Sequence, residues 1–324
     1  MKKTLFLFLI IILLGVIWAF SWQFVAGKVE TALVEGKAKL EGQDKLFQCP
    51  NQEIGGFPFR ISVTCDETSY FDNRKGFYLE AGALRSAAQA YQPGKAIVEL
   101  EGPAVMTFAH NQTFDVKWKS LRASLSAGIS GIEKISTIGK NISLSPTDPN
   151  ESTLNIQEIQ IQARRIERNS IDFATSTRMV GSSKEDWPKF DAAVNVRLND
   201  IYDRISHTPD LVQIAKSIGL EGQLNGLDYI SHDGGKISFS GPMQIDKQGY
   251  LSGKFNMTVS ELQPLVRSLA KAFPDYQVEF LQAESAISLL NSGNNSMELK
   301  LPVTVSKGRV NMGIVPIGNI PRLF

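Results

Sequence analysis

The sequence predicts a mainly β protein with a few α-helices, built as large twisted antiparallel sheets behind one N-terminal transmembrane helix. Three observations carry this reading. No charged side chain occurs from Thr4 to Ala26. Apolar and polar residues alternate with period two through most of the chain that follows, which is the pattern of half-buried strands. Helical spacing is confined to a few short stretches.

The N-terminal element comes first. Met1-Lys2-Lys3 is a short basic start, and the apolar heart from Leu5 to Phe20 is long for a signal-peptide core. It is about long enough to span a membrane once Trp18, Trp22 and Phe24 are placed at the interface. Lys2 and Lys3 keep the N-terminus in the cytoplasm and send the remaining chain outside. Residues 1–26 are therefore read as an uncleaved signal anchor and 27–324 as the exported domain. The competing reading is a cleaved signal peptide with Ala19-x-Ser21 as a poor processing site. Either one delivers the chain to an oxidising space.

The two cysteines of the chain, Cys49 and Cys65, bracket Gly55-Gly56, the run Phe57-Pro58-Phe59-Arg60 and the strand-like Phe59-x-Ile61-x-Val63. Gly55 and Gly56 allow close approaches that a Cβ would forbid. Pro58 fixes its own φ and pushes Phe57 towards an extended conformation. In an oxidising space the pair is expected to bond, closing a loop of about 15 residues worth roughly 3 kcal/mol in the chain-entropy model. The alternative is two buried thiols far apart. Alternation from Phe57 to Val63 predicts that the aromatics point inward beneath the disulfide, with Arg60 paired to a nearby carboxylate. The competing reading is a protruding apolar loop that docks on lipid or a partner, with Arg60 meeting a phosphate.

Between these landmarks, Gln23 to Phe47 shows helical spacing (Phe24, Val25, Lys28, Val29, Ala32, Leu33) and continues the anchor as a membrane-proximal helix that Gly42 ends. Strands follow at Tyr78-Leu79, Ile97–Leu100 and Val105–Phe108, the last two joined through Gly102-Pro103. Phe114, Val116 and Trp118 alternate in one phase and Leu121, Ala123 and Leu125 in the other, which predicts a bulge or bend in one long strand. Leu154 and Ile156 followed by Ile159, Ile161 and Ala163 switch phase in the same way. Phe190 to Leu198 alternates cleanly.

A short helix is expected from Thr208-Pro209-Asp210 to Gly219, burying Leu211, Ile214, Ala215 and Ile218. A hairpin follows: Ile237–Ile245, the turn Asp246–Gly249, then Leu251–Val259 with Phe255, Met257 and Val259 on one face. Ser260-x-x-Gln263 reads as a capping box, with Pro264 in the first turn and an apolar stripe through Leu262, Leu265, Val266, Leu269, Ala270 and Phe273. A second helix runs from about Asp275 to Leu290, and Asn291–Ser296 is a polar loop. The chain closes with a hairpin turning at Ser306-Lys307-Gly308, and Pro316 to Pro321 excludes a central strand. A boundary between two subdomains is expected near 200–235.

The Cys…Gly-Gly-Phe-Pro-Phe-Arg-Ile…Cys stretch and the closing Gly308-Arg-Val-x-x-Gly313…Pro316-x-Gly318…Pro321 segment resemble a bacterial family, domain of unknown function 2125, over nearly all of the chain after the anchor. The resemblance implies an envelope protein held in the inner membrane by a single helix, with its main domain in the periplasm. It implies no activity and no catalytic residues. The hairpins are also similar, at the level of fold, to AsmA-like envelope proteins, which are associated with moving or organising lipids between membranes; fold alone does not fix function.

Chemistry is sparse. Formal charge is +1 and no long basic run occurs, so nucleic-acid binding has no electrostatic footprint. Arg164-Arg165 with Arg168, the densest basic patch, is read as a solvated strand end. Phosphate-cradling, nucleophile-elbow and zinc-protease motifs are absent, and no cofactor is indicated. With three histidines, His110, His207 and His232, and no Cys-x-x-Cys spacing, a metal site is poorly supported. Ser268-x-x-Lys271 fits one motif of penicillin-recognising enzymes without its companions. Glu99 and Glu101 share a face that is read as solvated, and His232-Asp233 as a turn. The functional expectation is a non-enzymatic envelope protein that binds lipid or another apolar ligand, with Phe255, Met257 and Val259 as the ligand face. The alternatives are a scaffold that binds envelope proteins through its outer surface, and a hydrolase with an unrecognised site.

Overall fold

The structure is a computed structural model that describes residues 2–109, 112–128, 130–148, 150–166, 169–184, 187–207, 210–290, 298–313 and 315–324. His110, Arg168, Thr208, Pro209 and the expected polar loop Asn291–Ser296 lie outside the described residues. The chain divides into two compact units, Met1–Ser130 with Ser143–Glu151, and Gly131–Ile142 with Ser152–Phe324.

In the first unit α1 (Lys2–Glu41) is one continuous helix, long and apolar enough to cross a membrane. Residues from Phe6 to Trp18 are exposed, as a lipid-facing helix requires. Further on, Trp22, Ala26, Val29, Leu33, Lys37 and Leu40 recur at three- and four-residue spacing and, with Val25, are the buried or half-buried positions. That stripe faces β1 (Lys45–Gln48) and β2 (Glu53–Gly55). Asp44, at φ 59°, turns the chain between helix and strand.

The remaining strands of this unit are β3 (Arg60–Cys65), β4 (Thr68–Asp72), β5 (Phe77–Ala81), β6 (Leu84–Gln89), β7 (Gln92–Leu100), β8 (Ala104–Phe108), β9 (Gln112–Lys117), β10 (Ser120–Gly128) and the last four residues of β11 (Gly131–Pro146), whose residues 131–142 belong to the second unit. They form two antiparallel ladders. One runs β1-β4-β5-β8-β9 and ends on the 143–146 segment of β11. The other runs β2-β3-β6-β7-β10. A chain of aromatic rings, Tyr70–Phe77–Phe108–Phe114, with centroids 5.3 to 6.1 Å apart, packs across β4, β5, β8 and β9.

The phase switch after Trp118 is a change of ladder, not a bulge in one strand. β9 stops at Lys117 and β10 starts at Ser120, each with its own partners. Trp118 stays at the corner and donates its indole N–H to the Leu100 carbonyl at 2.9 Å. Gly102 leaves room for that ring, since a Cβ there would lie 3.2 Å from it.

The second unit is a meander of β12 (Leu154–Ile166), β13 (Ser170–Ser182), β14 (Phe190–Leu198), β15 (Leu220–Ser231), β16 (Lys236–Ile245), β17 (Leu251–Ser260), β18 (Leu299–Ser306), β19 (Arg309–Met312) and β20 (Val315–Asn319). Each strand pairs antiparallel with the next. Among the described residues the Pro-containing β20 pairs with β19 alone, as an edge position demands. The second phase switch lies within one strand, β12, whose register with β13 does not shift. The bulge at this level is in the partner strand β13, where Met179 adopts φ 50° and the β13–β14 register shifts between Thr177 and Val180. Because residues 190–231 supply two inner strands of this meander, the expected boundary near 200–235 is not where the chain divides.

Among the described residues four α-helices decorate the meander: α2 (Tyr202–His207), α3 (Leu211–Ile218), α4 (Leu262–Ala272) and α5 (Gln277–Leu290). The Asp210 carboxylate caps α3 by accepting from the N–H groups of Val212 and Gln213. Helix α3 buries Ile214 and Ala215 among Leu198, Ile201, Leu220 and Ile245. Helix α4 buries Leu265 over Phe255, Met257, Val259 and Val303. The expected capping box before α4 is not formed. Ser260 ends β17, and Glu261 takes the cap position at φ 51° while its carboxylate accepts from the Gly235 N–H at 3.0 Å.

Candidate functional site

The disulfide loop is placed against α1. Cys49 and Cys65 are bonded, with Cα atoms 5.2 Å apart. Inward alternation begins at Ile61, and Ile61, Val63 and Cys65 are buried. Phe57 and Phe59 instead are 55% and 71% exposed, which overturns the expectation that they fill the core. The reason is local. Gly56, at φ 98°, opens a tight turn closed by the Arg60 N–H on the Gly56 carbonyl at 3.0 Å, so residues 57–59 never enter the ladder. A Cβ on Gly56 would lie 2.6 Å from Arg60 Cγ, whereas one on Gly55 would have its nearest neighbour at 3.8 Å.

Two tryptophans hold this turn to the helix. Trp18 donates its indole N–H to the Pro58 carbonyl and Trp22 to the Arg60 carbonyl, both at 2.9 Å. Their four-residue spacing puts both indoles on one face of α1. Phe57 meets Trp22 edge-on, with centroids 5.5 Å apart. Further along the helix Lys37 donates to the Gln52 side chain at 2.8 Å. On the other side the Ala90 N–H donates to the Phe59 carbonyl at 2.9 Å. That bond sets the β6–β7 hairpin, and with it Tyr91, beside Phe59. Tyr91 is 67% exposed, and the sequence reading did not single it out. Among the described residues Arg60, itself exposed, makes no ion pair with a carboxylate, so the expected partner is not found.

The face proposed for a ligand is interior. Phe255, Met257 and Val259 are at most 7% exposed and pack in one cluster with Leu224, Leu265, Val303, Val305 and Met312. The apolar side of the sheet does not end there, however. Met257 lies opposite Phe239, Phe239 opposite Leu227, Leu227 opposite Val194, Val194 opposite Thr175 and Thr175 opposite Ile161. This row crosses six strands on one face. Leu227, Ile161 and the neighbouring Phe173 are 41%, 38% and 39% exposed.

The remaining polar clusters have structural partners. Glu101 and Glu99 pair with Arg85 at 2.6 Å and Arg122 at 3.2 Å on an exposed face. Arg165 lies over the Tyr202 ring, 4.0 Å from its centroid. Asp172 is held below the usual carboxylate range by Arg197, against an opposing effect of burial and with help from Arg164. Burial alone would raise Asp191, but its hydrogen bonds from His232 and the Met179 N–H, with the charge of Arg178, bring it lower than usual. Ser268 is buried and hydrogen-bonded to the Tyr229 hydroxyl at 2.8 Å, while Lys271 is exposed, so Ser-x-x-Lys assembles no pair. Burial pushes the Tyr229 phenol up. Among the described residues no three His, Cys, Asp or Glu side chains group as metal ligands.

No curated protein matches the chain. Residues 22–321, which run from Trp22 through the disulfide loop to Pro321, match the family described as uncharacterized protein conserved in bacteria. By that match the chain belongs to the DUF2125 family.

Proposed function

We propose that this protein is a single-pass anchor of the inner membrane whose periplasmic domain binds lipid or another apolar molecule for envelope maintenance, without catalysis. The observation that carries the reading is the row from Met257 to Ile161. Its apolar face is closed into a core under α4 at one end, and along the rest of the row Leu227, Ile161 and the neighbouring Phe173 are exposed, with the half-buried Val194 and Thr175 between them. A contiguous exposed apolar face is costly in water, so it marks a surface that is covered in use. The helix α1 supports a membrane location. The disulfide supports an oxidising compartment.

The test uses the full chain in vesicles that contain a photoactivatable phospholipid, with adducts mapped to peptides. Label on peptides that carry Ile161, Phe173 and Leu227, lost in a Phe173→Asp, Leu227→Asp variant of unchanged melting temperature, is the expected result. Label confined to α1 and its immediate surroundings overturns lipid binding by the second unit and leaves a protein-binding scaffold as the reading to pursue.

A further inference from the structure

We propose that the tip formed by Phe57, Phe59 and Tyr91 is inserted in the outer leaflet of the membrane that α1 crosses, with the Arg60 guanidinium on a phospholipid phosphate. This does not rest on lipid binding by the second unit.

The depth follows from the helix. Counted from Leu5 at 1.5 Å per residue, a hydrocarbon core of about 30 Å ends near Phe24, and Trp18 and Trp22 stand at about 20 and 26 Å. Their indole bonds fix Pro58 and Arg60 to those two levels. The turn therefore lies in the outer third of the hydrocarbon, just beneath the interface where tryptophan and tyrosine rings concentrate in membrane proteins. Side chains exposed at that level face lipid, and the large apolar groups exposed here are Phe57, Phe59 and Tyr91, with Arg60 and the uncharged Gln89 and Gln92 beside them.

The backbone is prepared for a place with little water, where every unpaired polar group is costly. The carbonyls of Gly56, Pro58, Phe59 and Arg60 accept from Arg60 N, Trp18, Ala90 N and Trp22 respectively. Pro58 has no N–H to satisfy. Arg60 is the one charged residue of the stretch from Ile54 to Ile61. With no carboxylate partner among the described residues, it can extend along the apolar surface and place its fork on a phosphate at the headgroup level. The leaflet is favoured over a protein partner because α1 itself carries the tip to a depth that lipid occupies.

The experiment places p-benzoylphenylalanine in the full chain, one position at a time, in vesicles of phosphatidylethanolamine and phosphatidylglycerol. Replacing Phe20 reports insertion of α1. Replacing Phe59 or Tyr91 reports the tip. Replacing Phe71, which pairs with Leu46 beyond the far end of α1, reports a site remote from the membrane. Each variant is checked for the Cys49–Cys65 bond by mass. Phospholipid adducts at 20, 59 and 91 and none at 71 are expected. Arg60→Glu should lower the adduct at 59, and Arg60→Lys should keep most of it. Lipid adducts at 20 with only water addition at 59 and 91 would overturn the proposal, as would cross-links from 59 to another protein or a second copy. Equal yields in Arg60→Glu and the parent would remove the phosphate contact. No adduct at 20 would remove the anchor and the proposal with it. Adducts at 59 and 91 without label near Phe173 would uphold this inference while sinking the proposed function.

Discussion

The Trp22 indole of α1 donates to the carbonyl oxygen of Arg60, the first residue of β3, at 2.9 Å. The apolar helix and the strand that carries one half of the disulfide are thus joined by a directed bond, repeated one helical turn earlier by Trp18 and Pro58. A helix that served only as a tether would need no such bonds.

The first prediction tests that coupling. Trp22→Phe keeps an aromatic ring against Phe57 but removes the donor, and Trp18→Phe does the same for Pro58. Each lost bond should cost the turn about 1 kcal/mol. Hydrogen exchange of the Arg60 and Ala90 amides, which close the turn and join it to the hairpin, should accelerate roughly fivefold in each variant. Unchanged exchange would mean that the turn holds itself and the indoles are incidental.

Alternation assigns faces only to residues that enter a ladder, and Gly56 removes Phe57 to Phe59 from it. A glycine pair before an aromatic-Pro-aromatic run is a turn signal as much as a strand start. Tyr91 could not be found at all, because its place depends on the pairing of Arg60 with Gln89, a non-local register. The hairpin of β16 and β17 was legible because its period and its Asp246–Gly249 turn agree. Phe255, Met257 and Val259 share one face, as their period of two dictates. Whether that face is a lining or a core depended on α4 folding over it, which no local pattern states.

Gly56→Ala provides the second prediction. Its φ of 98° is strained for any side chain, and the new Cβ would meet the Arg60 backbone carbonyl at 2.8 Å. A loss of about 1–3 kcal/mol is expected, whereas Gly55→Ala should be close to neutral. Thermal unfolding of both variants under oxidising conditions checks this. Equal melting temperatures would show that the turn relaxes freely.

Acid sensitivity gives the third. Arg197, with Arg164, holds Asp172 below the usual carboxylate value, although burial opposes this. A folded value below the unfolded one, near about 3.9, means that the stabilisation is present above about pH 4 and is lost as pH falls through the folded value. Asp172→Asn should therefore be less stable than the parent at neutral pH, and the gap should close on acidification. Melting temperatures of both proteins between about pH 7 and pH 3 decide it. A gap that persists at the acid end would assign the loss to shape and not to charge.

The last prediction concerns Ser268, because it separates a structural hydroxyl from a nucleophile. The side chain is 2% exposed and shares a 2.8 Å hydrogen bond with Tyr229, whose phenol is pushed up by burial. Ser268→Ala leaves that phenol without its partner and should cost about 1–3 kcal/mol, the penalty of an unsatisfied buried polar group. Tyr229→Phe added to it removes the second half of the pair, so the double variant should recover much of the loss. The exposed Lys271 takes no part in this bond, and Lys271→Ala should leave the melting temperature unchanged. Denaturant unfolding of the parent, Ser268→Ala, Tyr229→Phe and the double variant closes a double-mutant cycle, with Lys271→Ala as the control. Recovery in the double variant, with no response at Lys271, marks a bond that fastens α4 to β15. A double variant as unstable as the sum of its parts would show that the hydroxyls act separately.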